Sequence, residues 1–357
     1  MDQDILPLRE QIDAIDREII ALLNRRARLA QQIGEHKQRL HLPVFRPERE
    51  REVIRKVQDA SSGPLHDDCI AAIWREVMSA CRALEAREKV AFLGPEGTYS
   101  EVAARRFFGA SCEFTPCTDF DEVFRAQLSG AADYGVVAVE NSTEGAVART
   151  MDLLLAHPVR IVGEINLPIH HNLLRAAPGL EGVRAVLAHP QALSQCRLWL
   201  DAHLPGVERR AVASNAEGAR LASEDAGLTA IAGDHAAALY ALHVAAAHIQ
   251  DEAQNRTRFA VLGRRPPPAT GNDRTSLILA VPNRAGAVVA MLQPLAAHGV
   301  SMTRFESRPA RSGAWEYYFY VDIQGHADDA PVRAALDALR GHCAYFKDLG
   351  SYPVSRD

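Results

Sequence analysis

The chain has 357 residues, 47% of them apolar and 24% charged, enough for two or three globular domains rather than one. A formal charge of −5 gives no electrostatic case for nucleic acid or an anionic membrane surface, so any anion site must come from local clusters of Arg and Lys. The six cysteines form no C-x-x-C pair and no zinc spacing, the start Met1–Asp4 lacks a signal-peptide core, and no apolar run nears the ~18 residues of a membrane span; a cytoplasmic protein with reduced thiols is expected.

Residues 5–40 predict one amphipathic helix, because Leu8, Ile12, Ile15, Ile19, Leu22, Leu29 and Ile33 recur at steps of three or four with one longer gap. After a break at 41–43, Pro47 suits the first turn of a second helix over about 47–60, and a third is expected over about 66–88. The pattern changes at Lys89. Val90–Leu93 reads as a buried strand, followed by the turn Gly94–Ser100 and a helix. Strands at 134–139, 160–165, 183–188, 207–213, 228–232 and 257–262 alternate with helices near 146–156, 191–201, 215–225 and 234–243, an α/β pattern with ligand sites expected at strand C-termini. Residues 264–273 are a linker by composition. Strand 275–281, helix 285–298, strands 300–308 and 315–323, helix 330–340 and strand 345–349 then give the βαββαβ order of a ferredoxin-like α+β unit.

Cations on the first helix point to an anionic ligand. Arg26 and Lys37 are eleven residues apart, ~16 Å and nearly on one face, so two long side chains can converge on a small dianion. Arg9 lies ~25 Å from Arg26 along the axis and off that face, so it reaches the same ligand only from a second, antiparallel copy. Any one of these cations alone reads better as part of a solvated face. Their company, Arg49-Glu50 on the second helix and Cys81 with Glu85 at i,i+4 on the third, weighs against that.

With Leu8-Arg9, Ile12-Asp13, Pro43-Val44 and the string Met78–Glu85, residues 8–88 resemble the all-helical chorismate mutases. The resemblance implies a pericyclic rearrangement of chorismate to prephenate by conformational restraint and charge stabilisation. It implies that Arg9 from a partner, Arg26 and Arg49 hold carboxylates, that Lys37 donates to the ether oxygen and that Glu50 accepts from the ring hydroxyl. Cys81 stands where one common version of the family has Ser, Glu85 where it has Gln, and Arg46 where some relatives have an acidic residue. A Glu donates to an ether only when protonated, so mutase activity is expected to fall as pH rises, and Glu85→Gln to flatten the profile.

In the α/β region, Gly94–Ser100 is no dinucleotide fingerprint but offers backbone N–H groups with the Thr98 and Ser100 hydroxyls. Further hydroxyl- and amide-rich loops are Glu140–Gly145 (Asn141, Ser142, Thr143), His189-Pro190-Gln191 with Gln195-Cys196, Ala213–Ala216 (Ser214) and Asn255–Phe259. Each is ordinary capping chemistry alone; four converging at one end of a sheet suggest a site. With Ile161–Glu164 they resemble prephenate dehydratase over residues 89–263. That family implies two α/β lobes of the periplasmic-binding-protein type around a cleft, and conversion of prephenate to phenylpyruvate. The resemblance makes Thr257 the donor to the leaving hydroxyl, with Asn141, Gln195, Thr98 and Ser100 orienting the substrate. It adds Ser142, Thr143, Ser214, Arg258 and Phe259 as further contacts.

Asn283–Val288, Met302–Phe305 and Glu306–Pro309 make residues 274–350 resemble an ACT regulatory domain. This implies phenylalanine binding at a dimer interface, with Asn283, Gly286, Ala287, Val288, Ser301, Met302, Thr303, Glu306, Ser307 and Arg308 as effector contacts. The expected organisation is thus multidomain: an all-α three-helix mutase over 1–88, a two-lobed α/β dehydratase over 89–265 and an α+β ACT domain over 274–352. It carries no metal or cofactor and works as a homodimer on chorismate and prephenate. The alternatives are a prephenate or arogenate dehydratase whose helical module only dimerises, and a non-catalytic two-lobed binding protein.

Overall fold

The structure is a computed structural model that describes residues 5–40, 42–282, 284–310 and 317–355. It divides into two compact units, Met1–Glu88 with Phe108–Glu113, and Lys89–Phe107 with Phe114–Asp357.

The first unit is built on α1 (Leu6–Arg39), α2 (Pro47–Asp59) and α3 (Asp67–Ala83). Prolines stand in the first turns of α1 and α2, where their missing N–H costs no helical bond. α3 ends five residues short of the expected 88. The Glu85 and Ala86 amides both return to the Arg82 carbonyl, and the resulting turn brings Glu88 back to within 2.8 Å of the Arg82 guanidinium. Arg82 is only 5% exposed. Its guanidinium lies 4.5 Å over the Phe45 ring, pairs with Glu50 as well as Glu88, and donates to the Phe108 carbonyl. α1 differs sharply. Gly34 is its one buried residue, and the seven apolar residues that predicted the helix are all exposed.

The second unit holds three sheets. The first lobe contributes β1 (Lys89–Leu93), α4 (Tyr99–Phe108), β2 (Glu113–Cys117), α5 (Phe120–Ser129), β3 (Tyr134–Asn141), β4 (Gly145–Ala146), α6 (Ala148–Ala156) and β5 (Arg160–Pro168). The chain then builds a second sheet from β6 (Asn172–Arg175), β7 (Ala185–Ala188), α7 (Pro190–Gln195), α8 (Arg197–His203), β8 (Glu208–Ala211), α9 (Asn215–Glu224), β9 (Leu228–Ala232), α10 (Asp234–Leu239) and β10 (His243–Ala246). It returns to the first sheet as β11 (Arg256–Gly263), antiparallel between β3 and β5. The sheet orders are β2-β1-β3-β11-β5, with β4 on β3, and β10-β6-β9-β7-β8. Two chain crossings between two sheets make the two-lobed fold.

The third sheet, β13-β14-β12-β15, comes from β12 (Asp273–Ala280), α11 (Ala287–Ala297), β13 (Met302–Pro309), β14 (Tyr317–Gln324), α12 (Ala330–Arg340) and β15 (Tyr345–Pro353). Alternation gives it two apolar faces. Leu277, Leu279, Val321 and Ile323 pack with Met291, Leu295, Leu336 and Leu339 of the helices. Ile278, Tyr320, Leu349 and Tyr352 share a core with Val139, Met151 and Leu154 of the first lobe.

Several elements differ from expectation. β2, α5, β6 and β10 were not read from the sequence. β2 is a largely exposed strand interrupted by Pro116, and β6 and β10 are four-residue strands, too short for a periodic signal. α5 carried a legible start, since Asp119 accepts from the Glu122 amide at 2.8 Å. The helix expected over 191–201 is two helices broken at Cys196. β15 runs four residues past 349 as it pairs with β12. The start of the strand expected at 315 lies outside the described residues.

Candidate functional site

In the helical unit, one cluster draws on all three helices. Arg26 Nη1 lies 2.9 Å from the Cys81 sulfur, and Lys37 Nζ lies 3.0 Å from both Glu85 Oε2 and the Val44 carbonyl. Glu50 joins through Arg82. Burial pushes the Glu50 carboxyl up; Arg82, Lys37 and Arg26 all pull it down without offsetting that. A Cβ on Gly34 would meet Glu85 Cγ at 2.7 Å and Cβ at 3.0 Å, so a side chain there would displace Glu85. Arg46 and Arg49 point elsewhere, pairing with Glu48 at 2.7 Å and Glu52 at 2.5 Å on the exposed side of α2. Arg9 is exposed, and among the described residues no contact brings it to the cluster. Sequence reasoning missed Arg82 and Gly34. The signal for Arg82 was its i+4 spacing from Met78, which puts it on the apolar face of α3.

In the α/β region, a network of amides and hydroxyls joins the two lobes. Asn141, at the end of β3, donates through Nδ2 to Thr257 Oγ1 (2.9 Å), Asn255 Oδ1 (2.8 Å) and the Arg256 carbonyl (3.2 Å). Its Oδ1 accepts from the Thr143 amide and hydroxyl at 3.1 and 2.5 Å. Gln195, from the second lobe, reaches Thr143 Oγ1 at 3.0 Å and Glu144 at 3.3 Å with Nε2. Its Oε1 meets Asn255 Nδ2 at 3.1 Å and His171 Nε2 at 2.9 Å. Ser142 fastens the loop, its hydroxyl accepting from the Arg256 amide at 2.9 Å. Thr257, Asn141, Thr143, Ser142 and Gln195 are thus brought together. Asn255 and His171 join them unforeseen. Asn255 sat inside a quoted string, whereas His171 carried no motif.

Other expected contacts lie elsewhere. Thr98 and Ser214 begin helices: Thr98 Oγ1 donates to the Leu93 carbonyl (2.9 Å), and Ser214 Oγ accepts from the Glu217 amide (3.1 Å). Ser100 is buried in the first turn of α4 and Phe259 in the body of the sheet. The expected loops follow strands of two sheets, not one end of a single sheet. The expectation that Arg258 faces the substrate is corrected. Consecutive strand residues point to opposite faces, so with Thr257 toward the network Arg258 points away. It pairs with Asp322 at 2.7 Å, Glu140 at 3.3 Å and Glu164 at 3.5 Å.

Among the expected effector contacts, Asn283 lies outside the described residues. Gly286 takes a left-handed conformation, φ +79°, immediately before α11, which suits glycine. Ala287 is buried and Val288 packs against the domain core. Register sets Ala280 opposite Tyr318 and Tyr318 opposite Arg308. Glu306, Ser307 and Arg308 therefore share the end of the sheet from which the chain leaves toward Gly286. Exposed Ser301, Met302 and Thr303 lie toward the other end, about 16 Å away along β13 from centre to centre. Arg308 pairs with Asp152 at 3.1 Å and Glu306 with Arg304. Among the described residues, no group of three or more His, Cys, Asp and Glu is placed to hold a metal ion, all six cysteines are free, and no helix is long and apolar enough to cross a membrane.

A cation–carboxylate cluster on three helices, a two-lobed amide site and a βαββαβ domain define a multidomain enzyme. Comparison with known proteins agrees. The patterns of three families match in order: Chorismate mutase type II over residues 8–86, Prephenate dehydratase over 90–267 and the ACT domain over 275–341. The chain is 48% identical to the bifunctional chorismate mutase/prephenate dehydratase of Neisseria gonorrhoeae, covering 99% of this chain and 98% of that one. A prephenate dehydratase from Arthrobacter aurescens, solved in complex with L-Phe, is 34% identical with a TM-score of 0.69, covering 74% of this chain and 89% of that one. GqqA, described as a novel type of quorum quenching acylase, is 32% identical with a TM-score of 0.68, covering 75% of this chain and 98% of its own. The chain belongs to the bifunctional chorismate mutase/prephenate dehydratase family. A match along nearly the whole length does not favour a dehydratase with an inert helical module or a non-catalytic binding protein.

Proposed function

We propose that the chain performs two successive steps, rearranging chorismate to prephenate and converting prephenate to phenylpyruvate, as a cytoplasmic homodimer inhibited by phenylalanine. Its modules meet near residue 88 and within 266–273. The first step belongs to Arg26, Lys37, Glu50, Cys81 and Glu85, completed by Arg9 of a second copy. The seven exposed apolar residues along α1 support that pairing, since a continuous apolar stripe of this length calls for a cover.

The second step belongs to Thr257, Asn141, Gln195 and Thr143, with Ser142 fastening their loop. The ring carboxylate leaves as carbon dioxide, its bonding electrons enter the ring, and the ring hydroxyl departs as water after taking one proton. The observation that carries this reading is the Asn141–Thr257 hydrogen bond. Asn141 donates to Thr257 Oγ1, so the Thr257 proton remains available to the leaving oxygen. Thr257 hydrogen-bonds an amide rather than a base, the arrangement of a donor and not of an activated nucleophile. Phenylalanine specificity is supported by the Arthrobacter aurescens relative, solved with L-Phe. The separation of Ser301–Thr303 from Glu306–Arg308 suits an effector site shared by two copies.

The test gives purified protein chorismate with and without phenylalanine. Phenylpyruvate formation suppressed by phenylalanine is expected. Accumulating prephenate would sink the second step, and unchanged chorismate the first.

A further inference from the structure

The network around Thr257 has one donor–acceptor polarity, because backbone groups anchor it. The Thr143 amide donates to Asn141 Oδ1 at 3.1 Å, and Asn141 Nδ2 lies 3.2 Å from the Arg256 carbonyl, which can only accept. Asn141 therefore turns its NH2 toward Asn255 Oδ1 at 2.8 Å, and Asn255 presents its own NH2 to Gln195 Oε1 at 3.1 Å. Gln195 Oε1 is thus an acceptor, and His171 Nε2, 2.9 Å from it, must carry a hydrogen. The other ring nitrogen, Nδ1, is buried with no hydrogen-bond partner among the described residues, the environment of a bare lone pair and not of a charged N–H. Burial depresses the His171 pKa, with His170 adding to it and the Gln195 bond opposing. The residue is 3% exposed, and its backbone is held by Gln250 Oε1 at 2.9 Å and the Ile249 amide at 2.7 Å.

We propose that His171 is a positioning residue for the dehydration step: its Nε2–H and Asn255 together saturate Gln195 Oε1 and fix the Gln195 NH2 toward Thr143, Glu144 and the substrate. A flipped amide would set its oxygen against the Glu144 carboxylate and against a dianionic substrate. Half of what holds Gln195 the right way round is a neutral histidine in one tautomer. The inference rests on the dehydratase reading for its consequence, but the tautomer stands on geometry alone.

Full-length His171→Leu, His171→Gln, Gln195→Leu and the Leu–Leu double variant would be assayed with prephenate, using mutase turnover and a thermal melt as folding checks. His171→Leu is expected to lose roughly ten- to a hundredfold in dehydratase kcat/KM, the scale of one buried hydrogen bond with its partner left unmade. His171→Gln, whose amide nitrogen reaches the Nε2 position, recovers most of that loss. The double variant is little worse than Gln195→Leu. A fully active His171→Leu, additive losses, or a glutamine variant no better than leucine would each overturn the proposal. Nitrogen NMR shifts read the ring independently: a protonated Nε2 with bare Nδ1 supports it, and a protonated Nδ1 overturns it. Should the wild type leave prephenate untouched, the functional reading alone fails, because the NMR result still decides the tautomer.

Discussion

Glu50 and Glu85 both face the cations of α1, but their partners give them different chemistry. Glu50 is half-buried, and burial raises its carboxyl above the usual range despite Arg82, Lys37 and Arg26. As the solution is acidified it takes up a proton earlier than an ordinary carboxylate. Mutase activity should therefore have an acid limb, and Glu50→Gln should remove it, because an amide oxygen accepts at any pH. Glu85 lies 3.0 Å from Lys37 and holds the ammonium that the first step is expected to use. Glu85→Gln frees Lys37 and supplies an amide donor, so activity should rise on the alkaline side with the acid limb kept. Rates of chorismate loss across pH for the three proteins check both claims, and three superimposable profiles would refute them. Arg82 belongs to the same scale: unremarked in the sequence, it is what ties Glu50 in place.

At the scale of elements, β11 divides its labour between its faces. Thr257 joins the amide network, and Arg258 reaches Asp322 on β14. Around that pair, Arg274 meets Glu164, the Tyr320 hydroxyl donates to the Met151 carbonyl at 2.8 Å, and Lys347 donates to the Leu154 carbonyl at 2.6 Å in the last turn of α6. Burial raises the Asp322 carboxyl, but Arg258, Arg304, the Ser276 hydroxyl and Arg274 outweigh it and hold the group below the usual carboxylate range. A depressed carboxyl contributes stability that is complete above its unfolded pKa and is lost as pH falls through the folded one. The contact is therefore intact at neutrality and fails in acid below the ordinary carboxylate range. Asp322→Ala leaves Arg258 with only the longer contacts to Glu140 and Glu164 and should cost about 3 kcal/mol, read by urea unfolding at neutral pH. An unchanged midpoint would count against the ion pair as a stabilising contact. Strand β13 and the network strands β3 and β11 also meet here, since Arg304 and Arg258 both approach Glu140, at 3.5 and 3.3 Å, one residue before Asn141.

For the whole molecule, the proposed dimer makes a sharper claim than an oligomeric state. In that dimer each mutase site would take Arg9 from one copy and Arg26 from the other, so Arg9→Ala and Arg26→Ala chains should each be inactive alone. Mixed by co-expression, they should regain mutase activity, because every mixed dimer holds one site with both arginines intact. No recovery on mixing would show that Arg9 serves its own chain or no site. Much of this was legible early. The three-module order, the long first helix and most residues of both clusters stand in local patterns of period and motif. Arg258 was misread because a motif gives residue types in sequence, whereas strand alternation sends neighbours to opposite faces. His171 was missed because its side-chain partner, Gln195, lies 24 residues away and no local spacing marks it.

By itself the sequence determined what short-range physics controls: helix periodicity, caps and turns, the cations on α1, and the strings that place the chain in its family. Tertiary structure alone decided what each polar side chain is held by. A buried amide or guanidinium must find partners, and those partners are brought to it by strands and helices distant in the chain. That is why Thr257 faces Asn141, why Arg258 serves the third sheet, and why an unmarked histidine came to lie against Gln195.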